Sequence, residues 1–134
     1  MFRSLSASVL FAAVVLAAGC SDSLCGNEIV AQVKSPDGLR TAFLFQRDCG
    51  ATTGFSTQVS VVRGETLPNS GGNVFVADSD HGAAPVAAWG GPPAELRWLD
   101  ASTLEVSYHP RARTFEKAEV VDGVSIRYVF LGDA

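Results

Sequence analysis

The chain reads as an all-β protein: a small antiparallel sandwich or open barrel of about eight short strands, set behind a cleaved N-terminal signal peptide. Three observations predict this. After Cys25, apolar and polar residues alternate over short segments. Clusters of Gly, Pro, Asn, Asp and Ser interrupt those segments at roughly 8–12-residue spacing. Two cysteines, Cys25 and Cys49, bracket a stretch with Ser35-Pro36-Asp37-Gly38 at its middle, the pattern of a closed hairpin.

Length and charge bound the rest. The chain has 134 residues, enough for one domain, with 18% charged and 47% hydrophobic residues and a formal net charge of -4. Acidic and basic residues are interspersed, so no clustered Lys/Arg surface exists to displace counterions from nucleic acid or to hold an anionic bilayer by charge alone.

The chain opens with Met1-Phe2-Arg3, a short positive region, followed by an uncharged run from Leu5 to Ala18. That run is shorter than the ~20 apolar residues a membrane-spanning helix needs, and it has the length and flanks of a secretory signal. It ends Leu16-Ala17-Ala18-Gly19-Cys20, which resembles the lipobox of bacterial lipoproteins. Ala17 is a permitted residue where that family favours Leu. The resemblance implies a diacylglycerol on the Cys20 thiol, cleavage before Cys20 and acylation of the new amine. Several acyl chains on one residue anchor stably where a single chain is marginal. Ser21 follows Cys20, which in that family implies the periplasmic face of the outer membrane if the source is Gram-negative. The expected organisation is a lipoprotein signal peptide over 1–19, a lipidated cysteine and tether over 20–24, and a single disulfide-stapled β domain over 25–134.

Of the three cysteines, Cys20 is then occupied, and Cys25 and Cys49 remain for each other in an oxidising compartment. Pro36 presets the turn, Asp37 accepts its third position and Gly38 takes φ > 0. A three-residue loop places Ser35 opposite Leu39. Counting outward sets Val33 against Thr41, Ala31 against Phe43, Ile29 against Phe45 and Cys25 against Cys49. The same parity groups Ile29, Ala31, Val33, Phe43 and Phe45 on one face, with Val30 and Leu44 as exceptions. A bulge near the base would relieve the disulfide geometry, and closing the loop is worth ~3 kcal/mol.

Further strands are expected over Phe55 to Arg63, Asn73 to Asp78, Pro85 to Trp89 (brief), Leu96 to Leu99, Thr103 to His109 and Val124 to Leu131. Phe115 to Val121 fits either a strand or a helical turn. Leu104, Val106 and Tyr108 point one way, as do Val124, Ile126, Tyr128 and Phe130. Asp122-Gly123 is a hairpin turn signal.

Cys25-Gly26-Asn27, Ser35-Pro36-Asp37-Gly38 and the stretch from Arg47 to Phe55 (Arg-Asp-Cys-Gly-Ala-Thr-Thr-Gly-Phe) resemble a pattern in small uncharacterised exported bacterial proteins. That resemblance implies a shared fold and cysteine pair, and no activity.

Chemistry-bearing residues are few. Asp78, Asp80 and His81 form the best metal candidate, two carboxylates one residue apart beside an imidazole, without the further acidic ligand of a calcium loop. His81 and His109 are the only histidines, and no Ser sits in Gly-x-Ser-x-Gly. Arg47-Asp48 is a possible ligand-reading pair or a local ion contact. Trp89, beside Gly90-Gly91-Pro92-Pro93, is either a binding anchor or a cap on the core. The sequence therefore leads to a non-enzymatic, lipid-anchored cell-envelope protein with no cofactor, an interaction or structural role, and an envelope protein as possible partner. The rivals are an inhibitor or immunity lipoprotein that binds a hydrolase, and a small hydrolase or metal-binding protein.

Overall fold

The computed structural model describes residues 24–50 and 54–132; Cys20 and the leader lie outside them. Nine strands are present among the described residues: β1 (Gly26–Lys34), β2 (Arg40–Asp48), β3 (Ser56–Arg63), β4 (Phe75–Asp78), β5 (Ala94–Asp100), β6 (Thr103–Tyr108), β7 (Arg113–Lys117), β8 (Val120–Val121) and β9 (Val124–Phe130). They form a sandwich of two sheets, ordered β1-β2-β3-β4-β7 and β5-β6-β9-β8. Pro85 to Trp89 is not a strand; it belongs to the long connection from β4 to β5. The ambiguous Phe115 to Val121 stretch divides into β7 and β8, one in each sheet.

All pairs are antiparallel except β6 and β9, which run parallel. Parallel neighbours need a crossover, and here the crossover is the excursion of β7 into the other sheet. Leu104, Val106 and Tyr108 align with Ile126, Tyr128 and Phe130, so the inward faces of the two strands coincide as their alternation requires.

The first hairpin closes as expected at its base and differently at its tip. Gly26 pairs with Asp48 and Ile29 with Phe45, and Cys25 is joined to Cys49 by a disulfide. Towards the tip the register moves by one, so Val33 faces Ala42 and Lys34 faces Thr41. The reason lies in the turn. The Asp37 carboxylate accepts the Leu39 N–H (3.1 Å), and Ser35 Oγ accepts the Arg40 N–H (3.1 Å). Leu39 is thereby kept in the loop, and Ser35 pairs with Arg40 instead (2.9 Å). A bulge at Val30 absorbs the extra residue and restores the register that the cysteines need.

That bulge also reassigns the faces, because a one-residue slip inverts every side chain beyond it. Ala31 and Val33 turn inward beside Leu44 and Ala42, and Ile29 stays outward beside Phe45. The sandwich core is made by Ala42, Leu44, Val59, Val61, Phe75 and Ala77 against Leu104, Val106, Tyr108, Val124 and Ile126. Phe43 and Phe45 face the opposite way and are still fully buried. The connection from β3 to β4 folds back over them. Asn27 Nδ2 donates to the carbonyls of Pro68 (3.0 Å) and Ser70 (2.9 Å), and Gln58 Oε1 accepts the Gly72 N–H (2.7 Å). Phe43 and Phe45 are thus buried on the outer side of the first sheet, apart from the sandwich core.

Two polar ties join the sheets away from the disulfide. At the far end, Arg63 binds both oxygens of Asp122 (2.8 Å each), and Arg40 Nη2 donates to the Asp122 carbonyl (2.9 Å). Asp122 and Gly123 both have positive φ, as the Asp-Gly turn between β8 and β9 demands. On the flank, the Tyr128 hydroxyl lies between the carbonyls of Val74 (3.0 Å) and Ala118 (2.7 Å), and burial raises its pKa well above the usual phenol range.

Candidate functional site

The antiparallel ladders bring one end of every long element together. β1 starts, β2 ends, β3 starts, β4 ends and β7 starts at the disulfide end. The connections 79–93 and 109–112 add the starts of β5 and the ends of β6 and β9. On the outer face of the first sheet at this end lies a groove of about 480 Å³. Arg47, Ser56, Val76, Asp78 and Arg113 line its floor, and Phe55 and Phe115 stand at its rims.

Each lining residue is placed by local sequence. Arg47 is near the end of β2 on the face of Phe45, only 6% exposed, and its Nη1 donates to Asn27 Oδ1 (2.7 Å). Asp78 closes β4 opposite Arg113, the first residue of β7. Arg113 binds it through two of its three guanidinium nitrogens, Nε to Oδ1 (3.1 Å) and Nη2 to Oδ2 (2.5 Å). That guanidinium holds the Asp78 carboxyl below the usual carboxylate range. The Arg113 guanidinium also lies 5.0 Å from the centre of the Phe115 ring. Phe55 is 42% exposed and Phe115 61%. Phe55 rests directly on the Gly90 backbone; a Cβ there would come within 2.3 Å of its ring.

The residues singled out from sequence fall in and around this end with different roles. Asp78 lines the groove, but both of its oxygens serve Arg113, and Oδ1 also accepts the Asp80 N–H (2.9 Å). Asp80 and His81 turn the chain in the left-handed region, with φ of 51° and 55°. No group of three or more His, Cys, Asp or Glu side chains converges for a metal among the described residues. His109 Nδ1 accepts the Arg111 N–H (3.1 Å), a local turn contact.

Trp89 caps the core. Its indole N–H donates to Thr57 Oγ1 (2.9 Å), that hydroxyl donates to the Pro92 carbonyl (2.6 Å), and Gln46 Nε2 donates to the Trp89 carbonyl (2.5 Å). Thr57 is fully buried on the core face of β3. The 87–92 segment is therefore a plug between the two sheets, and the exposed aromatics that line the groove are Phe55 and Phe115 instead. Sequence reasoning missed Phe55, Arg113 and Phe115 as a group. The only signals were the Gly54-Phe55 step and the alternation of Arg113 with Phe115, and neither showed that β7 would leave its sequence neighbours to pair with β4.

The arrangement offers aromatic surface flanking two guanidinium groups. Aromatic side chains, Phe included, and arginines are enriched at protein interfaces relative to the rest of the surface. No protein-family model, no curated protein and no solved structure matches this chain.

Proposed function

We propose that the chain is a lipid-anchored cell-envelope protein whose β sandwich acts as a non-enzymatic contact module. The observation that carries the reading is the order of the N-terminal features. A charged start, an apolar run and Leu16-Ala17-Ala18-Gly19-Cys20 are followed, within six residues of Cys20, by the first strand of the domain. The Cys25–Cys49 disulfide supports an oxidising location. Ser21 supports the outer membrane in a Gram-negative source. The groove beside Cys49 is the contact site, with Phe55, Phe115 and Arg113 as its leading groups.

Intact mass of the membrane-extracted protein tests this. The expected result is a mass beginning at Cys20 with added acyl chains and two hydrogens fewer for the disulfide. An unmodified Cys20 overturns the anchor. Stoichiometric recovery of an envelope hydrolase with the extracted protein, lost in Phe115→Ser, would move the contact role to hydrolase inhibition.

A further inference from the structure

The geometry points to the phospholipid surface as the partner of the disulfide end: the groove and its exposed apolar side chains lie against the bilayer. This rests on the anchor reading above. Cys20 is four residues from Leu24, so the acylated position lies no more than ~14 Å of extended chain from the domain. Leu24 leads directly into Cys25, which is the disulfide end. A tether this short leaves little freedom to present any other end to the membrane.

The surface fits that placement. Leu24 (72% exposed), Phe55, Val86 and Phe130 stand exposed at this end, with Phe115 two residues into β7. Aromatic rings and guanidinium groups suit the boundary between headgroups and acyl chains, where Phe55, Phe115 and Arg113 would sit together. Charge does not drive the contact. Arg47, Arg111 and Arg113 are matched at this end by Asp48, Asp78 and Asp80, and the chain as a whole carries -4. The contact is apolar and therefore persists on zwitterionic vesicles.

The experiment uses the full chain, extracted from membranes and reconstituted into phosphatidylethanolamine vesicles carrying brominated acyl chains. Tryptophan is introduced singly at Phe55, Phe115, Leu39 or Val120, and each variant is read as its fluorescence above the two native tryptophans, which are common to all. Leu39 and Val120 lie at the opposite end of the sandwich. Bromine should quench the added signal of Phe115→Trp and Phe55→Trp by about twofold and leave Leu39→Trp and Val120→Trp unchanged. Phe115→Trp keeps the test open if packing against Gly90 prevents Phe55→Trp from folding. Equal quenching at both ends, or stronger quenching at Leu39 and Val120, overturns the orientation. Replacing a third of the lipid by phosphatidylglycerol should leave the pattern as it is; quenching that appears only then overturns the apolar basis. Intact mass in parallel separates the two readings. An unmodified Cys20 overturns the anchor and the tether-set orientation with it, whereas an acylated Cys20 with equal quenching at both ends overturns the orientation alone.

Discussion

Replacing Thr57 by Val tests whether Trp89 belongs to the core plug or is free for contact. The substitution keeps the side-chain shape and removes one hydroxyl, which accepts the Trp89 N–H at 2.9 Å and donates to the Pro92 carbonyl at 2.6 Å. Pro92 is fully buried, so its carbonyl has no water to turn to. An orphaned buried carbonyl costs about 1–3 kcal/mol, and the lost indole bond about 1 kcal/mol more, so Thr57→Val should destabilise by about 2–4 kcal/mol. Thr57→Ser is the control: it keeps both bonds and loses a methyl, at about 1 kcal/mol. Urea denaturation followed by tryptophan fluorescence measures both, and the slope should stay as in the parent protein. If Thr57→Val costs no more than Thr57→Ser, the plug is not held by this hydroxyl.

Three further outcomes follow from the geometry. Cys25→Ser with Cys49→Ser opens a loop of sequence separation 24 and should lower stability by about 3.5 kcal/mol, measured against the oxidised parent; a loss under about 1 kcal/mol would contradict it. Gly72→Ala places a Cβ 2.7 Å from the carbonyl oxygens of both Phe75 and Val59 and should cost at least about 2 kcal/mol, whereas Gly26→Ala, which meets nothing within 4 Å, should stay within about 0.5 kcal/mol; equal melting temperatures for the two would refute the close approach. The Asp122 carboxyl is held below its ordinary pKa by the Arg63 hydrogen bonds, so its stabilising effect is complete above the unfolded value of about 3.9 and disappears as pH falls through the lower folded value. Melting temperature should therefore fall more steeply below pH ~4 in the parent protein than in Asp122→Asn, and parallel curves would remove Arg63–Asp122 as an acid-sensitive tie.

Much of the fold was legible because its local signals agree. Ser35-Pro36-Asp37-Gly38 marked a turn, the cysteines marked a base, and the alternation in β6 and β9 named inward faces that the core uses. The faces of the first hairpin were read less well. Phe43 and Phe45 looked like the core side because the parity counted from the turn groups them with Ile29, Ala31 and Val33, yet they are buried on the outer face, beside a connection whose polarity, around Asn69-Ser70-Gly71-Gly72, reads as a solvated loop. Asn27 and Gln58 hold it down through backbone groups, and such contacts leave no apolar period to detect. The groove was hidden for a related reason. Arg113 and Asp78 are far apart in sequence and meet only because β7 joins the first sheet. Trp89 showed the limit of reading one residue: a large aromatic beside a rigid loop signals an anchor either way, and the deciding group was a threonine in another strand.

The parallel pair of β6 and β9 has a kinetic consequence. Every other long strand can zip onto a partner near it in the chain or already in place, but β6 waits for the last strand of the molecule. Until β7 has crossed to β4 and the chain has returned, one edge of β6 is uncovered, and Leu104 and Val106 on its inner face lack their partners in β9. Non-local pairing of this kind is slow because the chain loses loop entropy before it gains contacts. The domain should accordingly complete its amino-terminal sheet first and seal its core with the carboxy-terminal strand. A chain cut short before Val124 would then be an unclosed half-sandwich prone to pair with its neighbours.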